Sequence, residues 1–278
     1  MKLSSQFGKF FQAWKNCLES FKQGNIFLLF LLYAIVQIGF IFILMFYAFP
    51  PFSAFLVPIM TKFFGQPSIH YPNNYLVLPT LFFWVNLLLS GFAGILLVGA
   101  STNLFARKYQ DKSVAMAPGL KTTLPHYSIL FVVWIVETAV LLGVFLGLPA
   151  LMGKIAFFEN HGPLATQLAT SLVAIFFGGL FVYTTALIVL ENRGPMSAIK
   201  KSFGLFWEYP VITFLLLAVP NFIRMPVDLL SGKTQFLITK FNPEMVGIVL
   251  MLSVVVSVFA NFFLVGTVTR YFMLVKSR

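Results

Sequence analysis

The sequence predicts an all-α integral membrane protein. Six transmembrane helices are expected in three repeated units, each an interfacial amphipathic helix followed by a helical hairpin, with both termini cytoplasmic. Three observations carry this. Hydrophobic residues make up 59% of the 278 and charged residues only 10%, against the quarter or so usual in soluble domains. Six apolar runs reach or approach the ~20 residues that span a bilayer core. A basic amphipathic segment, most clearly Glu191 to Pro210, recurs ahead of those runs.

In that segment Met196, Ile199, Phe203 and Phe206 are spaced three, four and three apart, so on a helix they form one stripe with Lys200 and Lys201 beside it. An ungapped shift of 185 residues lays Phe11, Trp14, Leu18 and Phe21 over the same stripe, with Ala13 under Ala198 and Lys15 under Lys200. A shift of 79 gives a weaker copy, Ala117, Leu120, Leu124 and Tyr127, with Lys121 under Lys200 and Pro118 and Pro125 interrupting it. The repeat units are thus 1–100, 101–190 and 191–278 of a single transmembrane domain.

Residues 1 to 25 carry Lys2, Lys9, Lys15 and Lys22 against one acid, Glu19, and read as a helix lying on a leaflet. The first span runs from Ile26 to Phe49 and stops at Pro50-Pro51. It is too long for a signal core and no small-x-small site follows it, so no cleavable signal is expected. The apolar stretch Phe52 to Phe64 is too short to cross and belongs in the outer interface. The second span, Leu76 to Ala100, has a face of Asn86, Ser90, Gly91 and Gly94 suited to close helix packing.

The third span, Ser128 to Met152, holds Glu137 and a Gly143/Gly147 pair of a kind common by chance. An outer turn, Gly153 to Pro163, leads to the fourth, Leu164 to Leu190. The fifth begins at Val211, and Pro220-Asn221 followed by Arg224, Pro226 and Asp228 predicts a kink or a half-length helix with a re-entrant piece. The sixth is Met245 to Val268, with Asn261 inside.

Counting basic residues by side gives 14 on the side of the termini and 5 on the other, which places both termini inside. The net charge of +11 therefore faces an anionic leaflet rather than nucleic acid. The phospholipid headgroup candidates are Lys9, Lys15, Lys22, Arg107, Lys108, Lys121, Arg193, Lys200 and Lys201. Membrane phospholipids are the expected partners, together with other membrane subunits or a second copy of the chain.

The intramembrane polar candidates are Glu137, Asn86, Asn221, Arg224, Asp228 and Asn261. An ionised carboxylate near mid-membrane costs at least ~2.5 kcal/mol, so Glu137 must be protonated, paired or turned to a polar cavity. It would either line a solute path or hydrogen-bond an asparagine such as Asn86, Asn221 or Asn261 and fix packing. Arg224 and Asp228, four apart, suit an ion pair on a helix, either at a substrate site or at a helix end.

No catalytic residue, metal or cofactor is expected. His70, His126 and His161 lie apart, no P-loop, GxSxG or dinucleotide glycine motif is present, and eight acids leave little for acid/base chemistry. The single Cys17 is expected to be an inert small residue rather than an acylated one.

Glu191, Gly194, Ala198, Ile199, Lys200, Ser202 and Phe203 follow an inner-loop pattern: an acid closing one span, a Gly-containing turn, then Ala-hydrophobic-Lys-x-Ser-aromatic. In this the chain resembles the YciC-like bacterial six-helix membrane proteins and the membrane domain fused to some glycerophosphodiester phosphodiesterases, which usually have Trp where Phe203 stands. The resemblance covers about 15 residues plus the six-span layout. It implies a bacterial inner-membrane location and internal repeats. It does not carry over the phosphodiesterase activity, which resides in a separate soluble domain. The expected role is a non-enzymatic membrane-embedded subunit, scaffold or lipid-interacting factor; the alternative is a transporter or channel for a small or amphiphilic solute using a broken fifth helix.

Overall fold

The computed structural model describes residues 3–22, 24–152 and 156–276, with the side chains of 156–164 outside that description. Among these residues every regular element is a helix. In chain order they are α1 (Leu3–Ser20), α2 (Gly24–Met45), α3 (Ser53–Phe64), α4 (Asn73–Leu89), α5 (Ile95–Lys108), α6 (Met116–Thr123), α7 (Tyr127–Met152), α8 (Ala156–Phe181), α9 (Thr184–Glu191), α10 (Pro195–Glu208), α11 (Pro210–Ser231), α12 (Thr234–Lys240) and α13 (Met245–Lys276). Six stretches among the described residues are long and apolar enough to cross a membrane: Gly24–Met45, Asn73–Lys108, Met116–Met152, Ala165–Glu191, Pro210–Ser231 and Met245–Lys276. The chain is a polytopic membrane protein.

Several spans differ from the sequence expectation. Of the two readings of the fifth span the half-length one is withdrawn, and the broken-helix path with it: α11 runs through Pro220, Asn221 and Pro226 as one helix, as the kinked reading requires. A proline removes one donor, and in a membrane bundle neighbouring groups meet the freed carbonyl, so the helix continues. The second span is α4 and α5 joined by a π-helical turn at Ser90–Gly94. The fourth is divided into α8 and α9 by a turn at Val182 and Tyr183. The expected outer turn at 153–163 is largely helical, since α8 already begins at Ala156; residues 153–155 lie outside the described ones.

The chain forms two compact units. The first comprises Met1–Leu29, Ile95–Pro220 and Phe262–Arg278. Its core is built on Leu187, Ile188, Ala198, Ile212 and Leu216, with Tyr183, Tyr209 and Tyr271 buried among them. Smaller clusters gather Ile175, Leu217 and Ala218, and Leu180, Phe181 and Phe206.

The second unit comprises Phe30–Gly94 and Asn221–Asn261. Here the segment after the first span folds back as α3 and a 3₁₀ turn, Gln66–Ile69. The buried Ser68 anchors it: its hydroxyl donates to the Gly65 carbonyl at 2.7 Å, and its own carbonyl accepts from the Tyr47 hydroxyl. Gly65 takes φ 79°, a left-handed conformation open to glycine at no steric cost. α12 packs on α4, and Gly247 of α13 comes so close to Met45 that a Cβ there would lie 2.4 Å from its sulfur.

Candidate functional site

The first unit holds three amphipathic helices, each fixed by a pair of small residues four apart. In α10 the pair is Ala198 and Ser202, both fully buried. The turn between α8 and α9 leaves backbone groups without helical partners, and Ser202 fills the gap. Its hydroxyl donates to the Leu180 carbonyl at 2.6 Å and accepts from the Tyr183 amide at 3.3 Å. One residue satisfies both the donor and the acceptor that the break exposes. Tyr183 then shares a hydrogen bond with Thr213 at 2.9 Å.

The turn into α10 is made by Asn192 at φ 53°, a left-handed C-cap, followed by Gly194 and by Pro195 at the first helical position. Glu191 closes the fourth span and draws two cations to it: Arg193 Nε at 2.6 Å and Lys276 Nζ at 3.1 Å. Arg193 is thus an ion-pair partner within the protein.

In α1 the pair is Ala13 and Cys17, also fully buried. Cys17 lies against Gly266 of α13, where a Cβ would stand 2.5 Å from the sulfur and 2.8 Å from two ring carbons of Phe105. The thiol points at the carbonyls of Phe262 and Phe263, 3.9 and 4.0 Å away. Burial pushes it up to about 12, against a smaller opposing effect from a hydrogen bond with Tyr109. Around this contact Lys9 Nζ donates to the Leu274 carbonyl at 2.5 Å. The Asn16 amide oxygen, turned toward Arg270, accepts from Nε and Nη2 at 2.7 and 2.9 Å. The Arg270 guanidinium also lies over the Tyr109 ring, 5.1 Å from its centre.

In α6 the pair is Gly119 and Thr123, buried against α5. A Cβ on Gly99 would meet Thr123 Cγ2 at 2.5 Å, and one on Gly119 would meet Leu104 at 2.9 Å. The preceding loop turns at Asp111, φ 55°, the second described non-glycine residue with positive φ besides Asn192. Arg107 Nε donates to the Ser113 carbonyl at 2.9 Å and Asn25 to that of Val114 at 2.9 Å, tying the loop down.

The remaining headgroup candidates, Lys15, Lys22, Lys121, Lys200 and Lys201, are exposed, and Lys108 is half-buried.

The intramembrane polar residues fall in several places. In the second unit the Asn86 side-chain oxygen accepts from the Gln37 amide, joining the first and second spans. Sequence reasoning had not singled out Gln37; its signal was a lone polar side chain in an otherwise apolar run. Close by, Gly94 lies under the Tyr33 hydroxyl, 3.2 Å from where a Cβ would stand. Arg224 Nε sits 3.9 Å from Asp228 Oδ2, one turn along α11, and Asp228 Oδ1 accepts from Ser253 of α13 at 3.1 Å. Asn221 and Asn261 are half-buried in that unit. In the first unit Glu137 lies on the inward stripe of α7, in register with buried Leu130, Val133 and Val144. No hydrogen-bond or ion-pair partner of Glu137 is found among the described residues. Nor do three of His, Cys, Asp and Glu gather as a metal site among the described residues.

Comparisons with protein-family models, with curated proteins and with solved structures found no match to this chain.

Proposed function

We propose that the protein is a non-enzymatic, lipid-interacting subunit or scaffold of the bacterial cytoplasmic membrane, with both termini cytoplasmic. The reading rests on one observation: α1, α6 and α10 are each held by a buried small-residue pair while their lysines Lys15, Lys121 and Lys200 stay exposed. A helix so fixed keeps its basic face turned to a leaflet. Six crossings put the three helices on one side, and the excess of basic residues there assigns that side to the cytoplasm. The arrangement supports three units, 1–100, 101–190 and 191–278, and accords with the YciC-like resemblance carried by Ala198, Ser202 and their neighbours.

The test is the native mass of the protein extracted from its own membrane in a mild detergent, with bound species identified. A protomer or homo-oligomer carrying several phospholipids is expected, and a chain that retains none refutes the lipid reading.

A second reading, a transporter for a small or amphiphilic solute, draws on Glu137, a carboxylate on a packed intramembrane stripe. It is carried if Glu137→Gln abolishes solute flux at unchanged melting temperature. It falls if the variant changes stability alone.

A further inference from the structure

We propose that α1, α6 and α10 carry three equivalent phospholipid-phosphate sites, centred on Lys15, Lys121 and Lys200. The inference rests on the lipid-interacting reading above and adds to it a location, a number and a ligand chemistry. The buried pairs Ala13/Cys17, Gly119/Thr123 and Ala198/Ser202 fix the rotation of each helix about its axis. Two residues beyond the first member of each pair, about 200° round the helix, comes the lysine, so in all three it stands opposite the docked face.

The residues four before and three after each lysine lie together on one flank. In α1 these are Phe11 and Leu18, 66% and 55% exposed. In α10 they are Met196, 75% exposed, and the half-buried Phe203. In α6 they are Ala117 and, in the 3₁₀ turn that follows, Leu124, 62% exposed. A lysine flanked by apolar side chains, at least one of them exposed, on a helix at a membrane surface has one stable placement. The apolar pair enters the acyl boundary and the ammonium reaches back to the phosphate layer.

No hydrogen-bond or ion-pair partner of the three ammonium groups is found among the described residues, so each is available to an outside anion. The occupant is a phospholipid, because apolar contact and cationic contact occur at one place. Lys201 provides the contrast. Like Lys200 it is exposed, yet its flanking positions are Ser197 and Gly204, and the shifts of 185 and 79 residues place Asn16 and Thr122 on it rather than lysines.

The experiment is native mass spectrometry of the full chain released from nanodiscs of phosphatidylglycerol, with phosphatidylcholine as the comparison lipid. Three tightly retained phosphatidylglycerol molecules are expected. Each of K15Q, K121Q and K200Q removes one, weakening its site about 5-fold, the factor expected for one basic residue at an anionic surface. The Lys121 site is the weakest of the three, since Ala117 gives it the least apolar contact. K201Q leaves the count at three, and L18Q weakens the Lys15 site although it changes no charge.

The proposal is overturned if the triple K15Q/K121Q/K200Q variant, with unchanged melting temperature, retains as much lipid as the wild type. Equal loss from K201Q and K200Q overturns it too, by showing diffuse charge while leaving the lipid reading intact. Displacement of bound lipid by soluble glycerol phosphate would refute the apolar flank. A wild-type chain that holds no phospholipid refutes the underlying reading itself.

Discussion

Replacing Gly266 with alanine puts a methyl group at the point where α13 meets α1 and α5. The new Cβ would lie 2.5 Å from Cys17 Sγ and 2.8 Å from Phe105 Cε1 and Cζ. Neither neighbour can swing aside: both are fully buried, and the Phe105 ring is wedged between Tyr109 and Phe262, 5.9 and 5.1 Å away between centres. Overpacking of this kind costs ~1–3 kcal/mol, which for a chain of this size lowers the melting temperature by about 2 to 10 °C.

The thiol gives a second, local readout. With Cys17 pushed up to about 12, roughly one part in ten thousand is thiolate at pH 8, against about a quarter for an unperturbed cysteine. The native wild type should therefore resist maleimide, and G266A, by prising α1 away, should label. Removing the sulfur as well, in C17A/G266A, should recover part of the lost stability, a coupling of ~0.5–3 kcal/mol. A G266A protein that melts with the wild type and keeps Cys17 unlabelled would refute this account of the contact.

Four more substitution sets have expected outcomes. S202A leaves the Tyr183 amide and the Leu180 carbonyl without their bridge and should cost ~1–3 kcal/mol in thermal unfolding, with only part of the stability returning in S202C, whose thiol is a weaker donor and acceptor than the hydroxyl. Q37L and N86L should each destabilise by up to ~1.7 kcal/mol, the upper range for intramembrane hydrogen bonds, and the Q37L/N86L pair should lose less than the sum in a double-mutant cycle. G99A should fall in melting temperature and be relieved by T123S, which removes the Cγ2 methyl 2.5 Å away. G143A and G147A should be silent, since nothing among the described residues lies within 4 Å of a Cβ at either position.

The six spans were legible in the sequence because the hydrophobic signal is carried within each run and needs no partner. What escaped was whatever depended on a neighbour. At Pro220 and Pro226 the rule for helices in water allowed a break as well as a kink, and α11 continues through both. The converse happened in the fourth span, where no proline or glycine marks the turn at Val182 and Tyr183. That turn is stabilised by a side chain, Ser202, which lies 19 residues beyond Tyr183.

The sequence did indicate which residues of α10 matter, through the Ala-hydrophobic-Lys-x-Ser pattern, but not what the serine does. Gly143 and Gly147, a familiar helix-contact spacing, meet nothing among the described residues. The tight contacts fall instead at Gly99, Gly119, Gly179, Gly247 and Gly266, which no spacing rule distinguishes. At Gly179 it is the Phe206 ring that would stand 2.7 Å from a Cβ.

The docking of α1 also sets an order of assembly. α6 and α10 settle on helices translated immediately before them, so each can seat as soon as it leaves the ribosome. α1 has no such neighbour: its contact with α13 joins Cys17 to Phe262, 245 residues further along. Tyr109, made with the second span, can meet Cys17 early, but the contact between α1 and α13 waits for the sixth span and closes last. Cys17 would report that closure: its thiol should label in nascent chains arrested before the sixth span and fall silent once that helix arrives.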